Sequence, residues 1–224
     1  MSLIVSLETS TKVCSIALHR GSQLLAEQTY YLEKSHSSLL PIIIEDILER
    51  CDLTMQDLEA VAVASGPGSY TGLRIGVTTA KTLAYSLNIP LVSVITLEAM
   101  HLKMHQLFGQ GYFCPMIDAR RMEVYCTLHD GVDKVWEPTP LIVEADSFED
   151  FQDKPLYLFG DGAEKTKEVL TQSNIHWLKN IHPSAVQVGE LALKKVERKE
   201  FEDVAYFEPF YLKEFQTKPA KKLV

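Results

Sequence analysis

Short apolar runs and longer amphipathic stretches alternate along the first hundred residues. Residues 3–8, 13–19 and 23–31 have strand length and apolar, β-branched character, and Gly21-Ser22 turns the second run into the third. Residues 36–51 carry apolar positions at helical spacing. Ala60–Ala64 predicts a fourth strand, 70–87 a helix, Pro90–Ile95 a fifth strand and 97–107 a third helix. The order β-β-β-α-β-α-β-α makes this an α/β chain. Beyond Gly109-Gln-Gly111 the alternation returns at 112–117 and 123–129, with Asp130-Gly131 as the turn. Residues 134–143 predict a third strand of this unit, interrupted by Pro138 and Pro140, and 155–159 a short strand before Gly160-Asp-Gly162. Helices are expected over 163–172 and 184–198. The chain thus divides into an N-terminal lobe over 1–108, a reduced, less regular C-terminal lobe over 109–212 and a flexible tail over 213–224.

Two helices have unusual faces. On 36–51, Leu40, Ile43, Ile44, Ile47 and Cys51 form one stripe, and Leu39 and Ile42 widen it past half the circumference. A helix lying on one sheet needs a narrower stripe. The excess suits a partner chain, or a helix buried between two elements of its own fold. On 70–87, Gly72, Gly76 and Ala80 line one side and allow close backbone approach, while Tyr70, Arg74, Thr78, Lys81 and Tyr85 line the other. Mixtures of Tyr and Arg are enriched at protein interfaces. The expected contact surface is therefore Leu39, Ile43 and Ile47, bordered by Tyr70, Arg74, Lys81 and Tyr85.

Composition narrows the function classes. The chain has 224 residues, 46% hydrophobic and 23% charged, with a formal net charge of −8. This describes a globular protein without the basic face that a free-standing nucleic-acid binder usually shows. No apolar run approaches the ~18 residues of a membrane span. Cys14, Cys51, Cys114 and Cys126 form no C-x-x-C pair, and free thiols in a reducing cytoplasm are expected. The chain opens directly on a strand, with no signal peptide visible.

The most informative stretch runs from Ala64 to Gly76, ASGPGSYTGLRIG. It joins a buried-type strand to a helix through Gly66, Pro67 and Gly68, with Ser69 as expected N-cap. Backbone N–H groups at such a helix start can hold an anion, and the same turn also serves as plain connection. This wording resembles the signature of the TsaB (YeaZ) family of threonylcarbamoyladenosine synthesis. Leu3–Thr11, His36–Pro41, Asp118-Ala-Arg120 and Glu123-Val-Tyr125 resemble that family in the same order. Past residue 126 the match thins to Gly160-Asp-Gly162 and Pro209–Leu212. The resemblance implies an ASKHA fold (actin-like ATPase, ribonuclease H-like) with two lobes.

Active ASKHA proteins hold ATP between lobes. Here Glu8-Thr-Ser-Thr11 stands at the place of the first phosphate turn, so Glu8, Thr9, Ser10, Gly66 and Gly68 are candidates for a degenerate phosphate site. The residues serve equally as a turn between strands. A lysine-bearing Walker loop is absent, as is a G-x-S-x-G elbow. The catalytic TsaD paralogues carry a metal motif, H-L-E-A-H, where this sequence reads Thr96-Leu-Glu-Ala-Met100. Two histidines at i and i+4 share a helical face and can share a metal, whereas Thr and Met are poor ligands for a hard cation. His101 and His105 repeat the spacing one step on, with Glu98 nearby, and are expected to be surface or boundary histidines. No metal, cofactor or catalytic residue is therefore expected. The resemblance implies a non-catalytic cytoplasmic subunit that binds a TsaD-type transferase, joins a TsaE-type ATPase in the larger complex, meets tRNA only indirectly, and pairs with itself when alone. The alternative is an ATP-dependent kinase or hydrolase of the same fold.

Overall fold

The computed structural model describes residues 2–31 and 36–213, with side chains in the first helix described from Leu40 onward. The N-terminal sheet is built from β1 (Leu3–Glu8), β2 (Val13–Arg20), β3 (Gln23–Tyr31), β4 (Ala60–Gly66) and β5 (Leu91–Ile95), in the order β3-β2-β1-β4-β5. The meander pairs antiparallel, and β4 and β5 add in parallel through α1 (His36–Glu49) and α2 (Tyr70–Leu87). Ser69 caps α2 as expected, its hydroxyl accepting from Gly72 N at 3.3 Å. After β5 the chain enters α3 (Thr96–Phe108).

The second sheet comprises β6 (Tyr112–Asp118), β7 (Glu123–Asp130), β8 (Asp133–Ile142), β9 (Leu156–Phe159) and β10 (Ile175–Leu178). Its order, β8-β7-β6-β9-β10, repeats that of the first. One expectation is corrected here: the helix expected over 163–172 is only a 3₁₀ turn at Glu164–Glu168. Residues 175–178, to which the sequence pattern assigned no element, are a strand pairing in parallel with β9. The second lobe therefore keeps the whole sheet, and its reduction lies in the helices. Cys14, Cys114 and Cys126 are buried free thiols.

Last comes α4 (Ala185–Glu197), capped by Ser184, whose hydroxyl accepts from Val186 N at 3.1 Å. It leaves its own lobe and packs on the first sheet, where Val188 and Ala192 meet Ile4, Ala62, Val92 and Val94. Conversely α3, from the first lobe, sends Leu97, Met100 and Met104 against Phe113, Ile117 and Phe159 of the second. Each lobe thus covers part of the other. This exchange explains why β1 is buried along its whole length: α1 and α2 cover Leu3, Val5 and Leu7, while α4 covers the side that holds Ile4. It also makes the boundary at 108/109 a division of sequence rather than of packing. Of the tail expected over 213–224, residues 214–224 lie outside the described residues, and Lys213 pairs with Glu123.

Candidate functional site

The Gly-rich stretch and the β1–β2 turn meet, and they meet without a gap. Gly66 has φ +119°, a conformation that side chains rarely adopt. A Cβ on Gly68 would collide with Ser10, and one on Gly72 or Gly76 with Thr9. The first turns of α2 therefore lie directly on the β1–β2 turn. Thr9 Oγ1 donates to Gly72 O at 2.8 Å, and Ser69 N donates to Ser10 O at 2.6 Å. Ser10 N donates to Glu8 Oε1 at 2.6 Å. The candidate phosphate turn is thus assembled, but Glu8, Thr9 and Ser10 are all 0% exposed. Thr9 and Ser10, expected to face a phosphate, meet the start of α2 instead, and the Glu8 carboxylate turns to Ser10 N. Burial pushes the Glu8 carboxyl up to about 7, its hydrogen bonds with Ser10 opposing the shift. Its Oε2 has no hydrogen-bond partner.

The second lobe's Gly160-Asp-Gly162 loop is likewise pressed inward. A Cβ on Gly160 would meet Met116 O, and one on Gly162 the backbone of Ile117 and Asp118. Asp161 Oδ1 accepts from Asp118 N at 2.9 Å, joining the loop to the end of β6.

The metal-motif positions are filled by core. Thr96 is 0% exposed and Met100 1%. Met100 packs with Phe113 and Phe159 at the junction of the lobes. Of His101 and His105, expected to be surface or boundary histidines, His105 is partly buried, whereas His101 is buried with its ring stacked on that of His129.

The expected contact surface needs correction. Ile43 and Ile47 are 4% and 0% exposed and pack on the first sheet beside Leu7 of β1 and Ile16 of β2. They are core residues of this chain. The stripe of Leu40, Ile43, Ile44 and Ile47 is used up inside the chain's own core, while Ile42 at its edge is not. The side chain of Leu39 lies outside the described residues. What α1 turns outward is Pro41, Ile42, Glu45 and Glu49, with Ile42 63% exposed.

On α2, three of the expected border residues hold the chain's own C-terminal segment. Lys81 Nζ donates to Phe207 O at 2.9 Å and to Ala205 O at 3.3 Å. Tyr70 packs on Tyr211 with ring centroids 5.2 Å apart, and the Arg74 guanidinium lies 4.4 Å from the Tyr70 ring. Phe210 N donates to Ser65 O at 2.8 Å beside Gly66. Glu202 begins this strap, bridging to Leu91 and accepting from Ser93 Oγ. Sequence reasoning missed the strap because its residues have no periodic pattern. Only the aromatic run Tyr206 to Tyr211 hinted that the segment docks. Tyr85, 81% exposed, stays outward with Thr71, Arg74, Thr78 and Thr82. The outward faces of α1 and α2 lie on the same side of the first sheet.

Comparison with known proteins agrees with this architecture. A family model described as TsaD, tRNA N6-adenosine threonylcarbamoyltransferase, matches residues 24–221. The tRNA threonylcarbamoyladenosine biosynthesis protein TsaB of Bacillus subtilis (strain 168) is 37% identical over 172 residues, 75% of this chain and 74% of that protein. TsaB of Escherichia coli (strain K12) is 34% identical over 122 residues, 54% of this chain and 52% of that protein. The structure of YeaZ from Pseudomonas aeruginosa matches with a TM-score of 0.79 at 24% identity, over 95% of this chain and 100% of that one, which shows a shared fold. With the signature stretch, the repeated sheet and these relatives in agreement, the chain belongs to the TsaB (YeaZ) family.

Proposed function

We propose that this chain works in tRNA threonylcarbamoyladenosine biosynthesis as a cytoplasmic, non-catalytic subunit that binds a TsaD-type transferase. The observation that carries the reading is at Thr96 and Met100. Where the transferase motif has two histidines, this chain has a buried hydroxyl and a core methionine packed against Phe113 and Phe159. Neither can hold a catalytic cation without dismantling the junction of the lobes. A kinase or hydrolase reading would need Glu8, Thr9 and Ser10 open to a nucleotide, and they are closed under α2.

The docking surface in this proposal is the outward side of α1 and α2: Ile42, Arg74, Thr78, Thr82 and Tyr85, with Glu45 and Glu49 at the edge. It replaces Ile43 and Ile47, whose side chains point inward. The same face serves a second copy of the chain when the transferase is absent, and a TsaE-type ATPase joins the larger complex through the transferase. With a net charge of −8, the isolated chain contributes little to tRNA affinity.

The test pairs activity with association. The isolated chain should show neither threonylcarbamoyl transfer nor ATP hydrolysis, and adding a TsaD-type partner should give a complex by light scattering. Ile42→Asp should leave the fold unchanged by circular dichroism and weaken that complex more than a hundredfold, a loss of about 3 kcal/mol. Turnover by the isolated chain, or an unweakened complex with Ile42→Asp and Tyr85→Asp combined, would overturn the proposal.

A further inference from the structure

A histidine pair spans the two lobes. His101 projects from α3, and β7 brings His129 against it, with ring centroids 3.7 Å apart and planes inclined by 8°. His101 Nε2 lies 2.8 Å from Gly131 O, so that nitrogen donates and Nδ1 keeps its lone pair. His129 is 1% exposed. Its Nδ1 has no hydrogen-bond partner, while its Nε2 lies 3.2 Å from Thr127 Oγ1 and 3.8 Å from Glu98 Oε2. Lys134, on β8, holds the other carboxylate oxygen, Oε1, at 2.8 Å. One ligand atom from each of Glu98, His101 and His129 falls within a span of 4.8 Å.

We propose that Glu98, His101 and His129 form a binding site for one divalent transition cation of the zinc type, which ties α3 to β7 across the lobe junction. Two imidazoles and a carboxylate are a donor set that suits zinc. Zinc–ligand bonds of about 2.0–2.2 Å separate tetrahedral donors by roughly 3.4 Å, and His129 Nε2 stands 3.8 Å from Glu98 Oε2, so this donor pair is nearly in place while the His101 ring has to turn to join it. The Gly131 carbonyl fixes the His101 ring through its far nitrogen, the usual outer partner of a ligating histidine. Lys134 occupies only Oε1 and leaves Oε2 to the ion.

The site is distinct from the positions of Thr96 and Met100. Those residues are closed in core, whereas Glu98 and His101 turn toward β7 and β8. A metal lies in the plane of each ligating ring, so binding must open the parallel stack of His101 on His129.

The experiment uses the full chain, stripped with a chelator and titrated with Zn²⁺ in competition with a chromophoric chelator, then with Co²⁺ for its visible spectrum. One ion per chain is expected, with the Co²⁺ bands of a four-coordinate nitrogen–oxygen site. Glu98→Gln and His129→Gln should each weaken zinc by about tenfold or more, the scale at which even an outer partner's loss is felt. His176→Gln, at an exposed position of β10, should leave it unchanged. If circular dichroism shows that His129→Gln has not folded, Glu98→Gln decides, because Glu98 is partly exposed. Absence of bound ion in the unaltered chain, or equal affinity in it and in either folded ligand variant, would overturn the proposal.

Discussion

The two lobes share one strand order and bury it by different means. In the first, α1 and α2 cover one face of the sheet and α4 most of the other. In the second, α3 covers one face, and among the described residues no long helix covers the opposite face. There Phe148 and Leu170, together with Trp136, Phe151 and Trp177, close over Cys114, Met116 and Val124 from the edge strands β8 and β10 and from turns. Rings bury more area per residue than aliphatic chains, so a few of them replace a helix pair. The difference supports the docking face proposed for α1 and α2, a packed helix pair lying on one face of the first sheet.

The comparison can be broken most strongly at Ile43. Ile43→Asp would put an unpaired carboxylate under α1 in the first lobe's core, at a cost of several kcal/mol. Loss of the cooperative unfolding transition is expected, whereas Ile42→Asp, one residue away and outward, should unfold like the unaltered chain. A folded Ile43→Asp protein would mean that α1 is not core.

The matching test in the second lobe is Phe148→Ala. Phe148 is 1% exposed and stacks on Trp136 with centroids 5.4 Å apart. Truncation should cost about 3–5 kcal/mol in urea unfolding. A loss under about 1 kcal/mol would show that the aromatic cover is not what holds this face.

A third test uses the filled turn. Glu8 has a carboxyl raised from 4.5 to about 7. Between those values the native state holds a proton that the unfolded chain releases. Stability is therefore full below pH 4.5, falls as pH rises through about 7, and is lower by roughly 3 kcal/mol above it. Glu8→Gln should remove that slope and gain most at pH 8. An unchanged pH profile in the variant would place the titration elsewhere.

The smallest effect is expected at the strap. Lys81→Met removes two hydrogen bonds to Ala205 and Phe207 from a half-buried ammonium. It should cost about 1 kcal/mol and speed proteolysis within 203–213 without altering the core. Cleavage at an unchanged rate would show that Lys81 does not hold the segment.

Much of the first lobe was legible because its signals are local. Strand runs such as Leu3–Glu8, the Gly21-Ser22 turn and the Ser69 cap each specify backbone within a few residues, and the observed elements follow them closely. The second lobe was harder. Ile175–Leu178 is too short to show a period, and 163–172 has helical composition but only a 3₁₀ turn. Its apolar partners are rings from distant turns rather than a helix stripe.

By itself the sequence determined the strand–helix order of the first lobe, the close approach of α2 at Gly72 and Gly76, the family signature, and the absence of both motif histidines at 96 and 100. Tertiary structure alone decided that Ile43 and Ile47 face inward, that Tyr70, Arg74 and Lys81 hold the strap, that Glu8 is sealed, and that His129 meets His101. The physical reason is range. Dihedral preference and periodicity act over a few residues, whereas burial, exchange of α3 and α4 between lobes, and the meeting of side chains 28 positions apart, at 101 and 129, arise only when both sheets are in place.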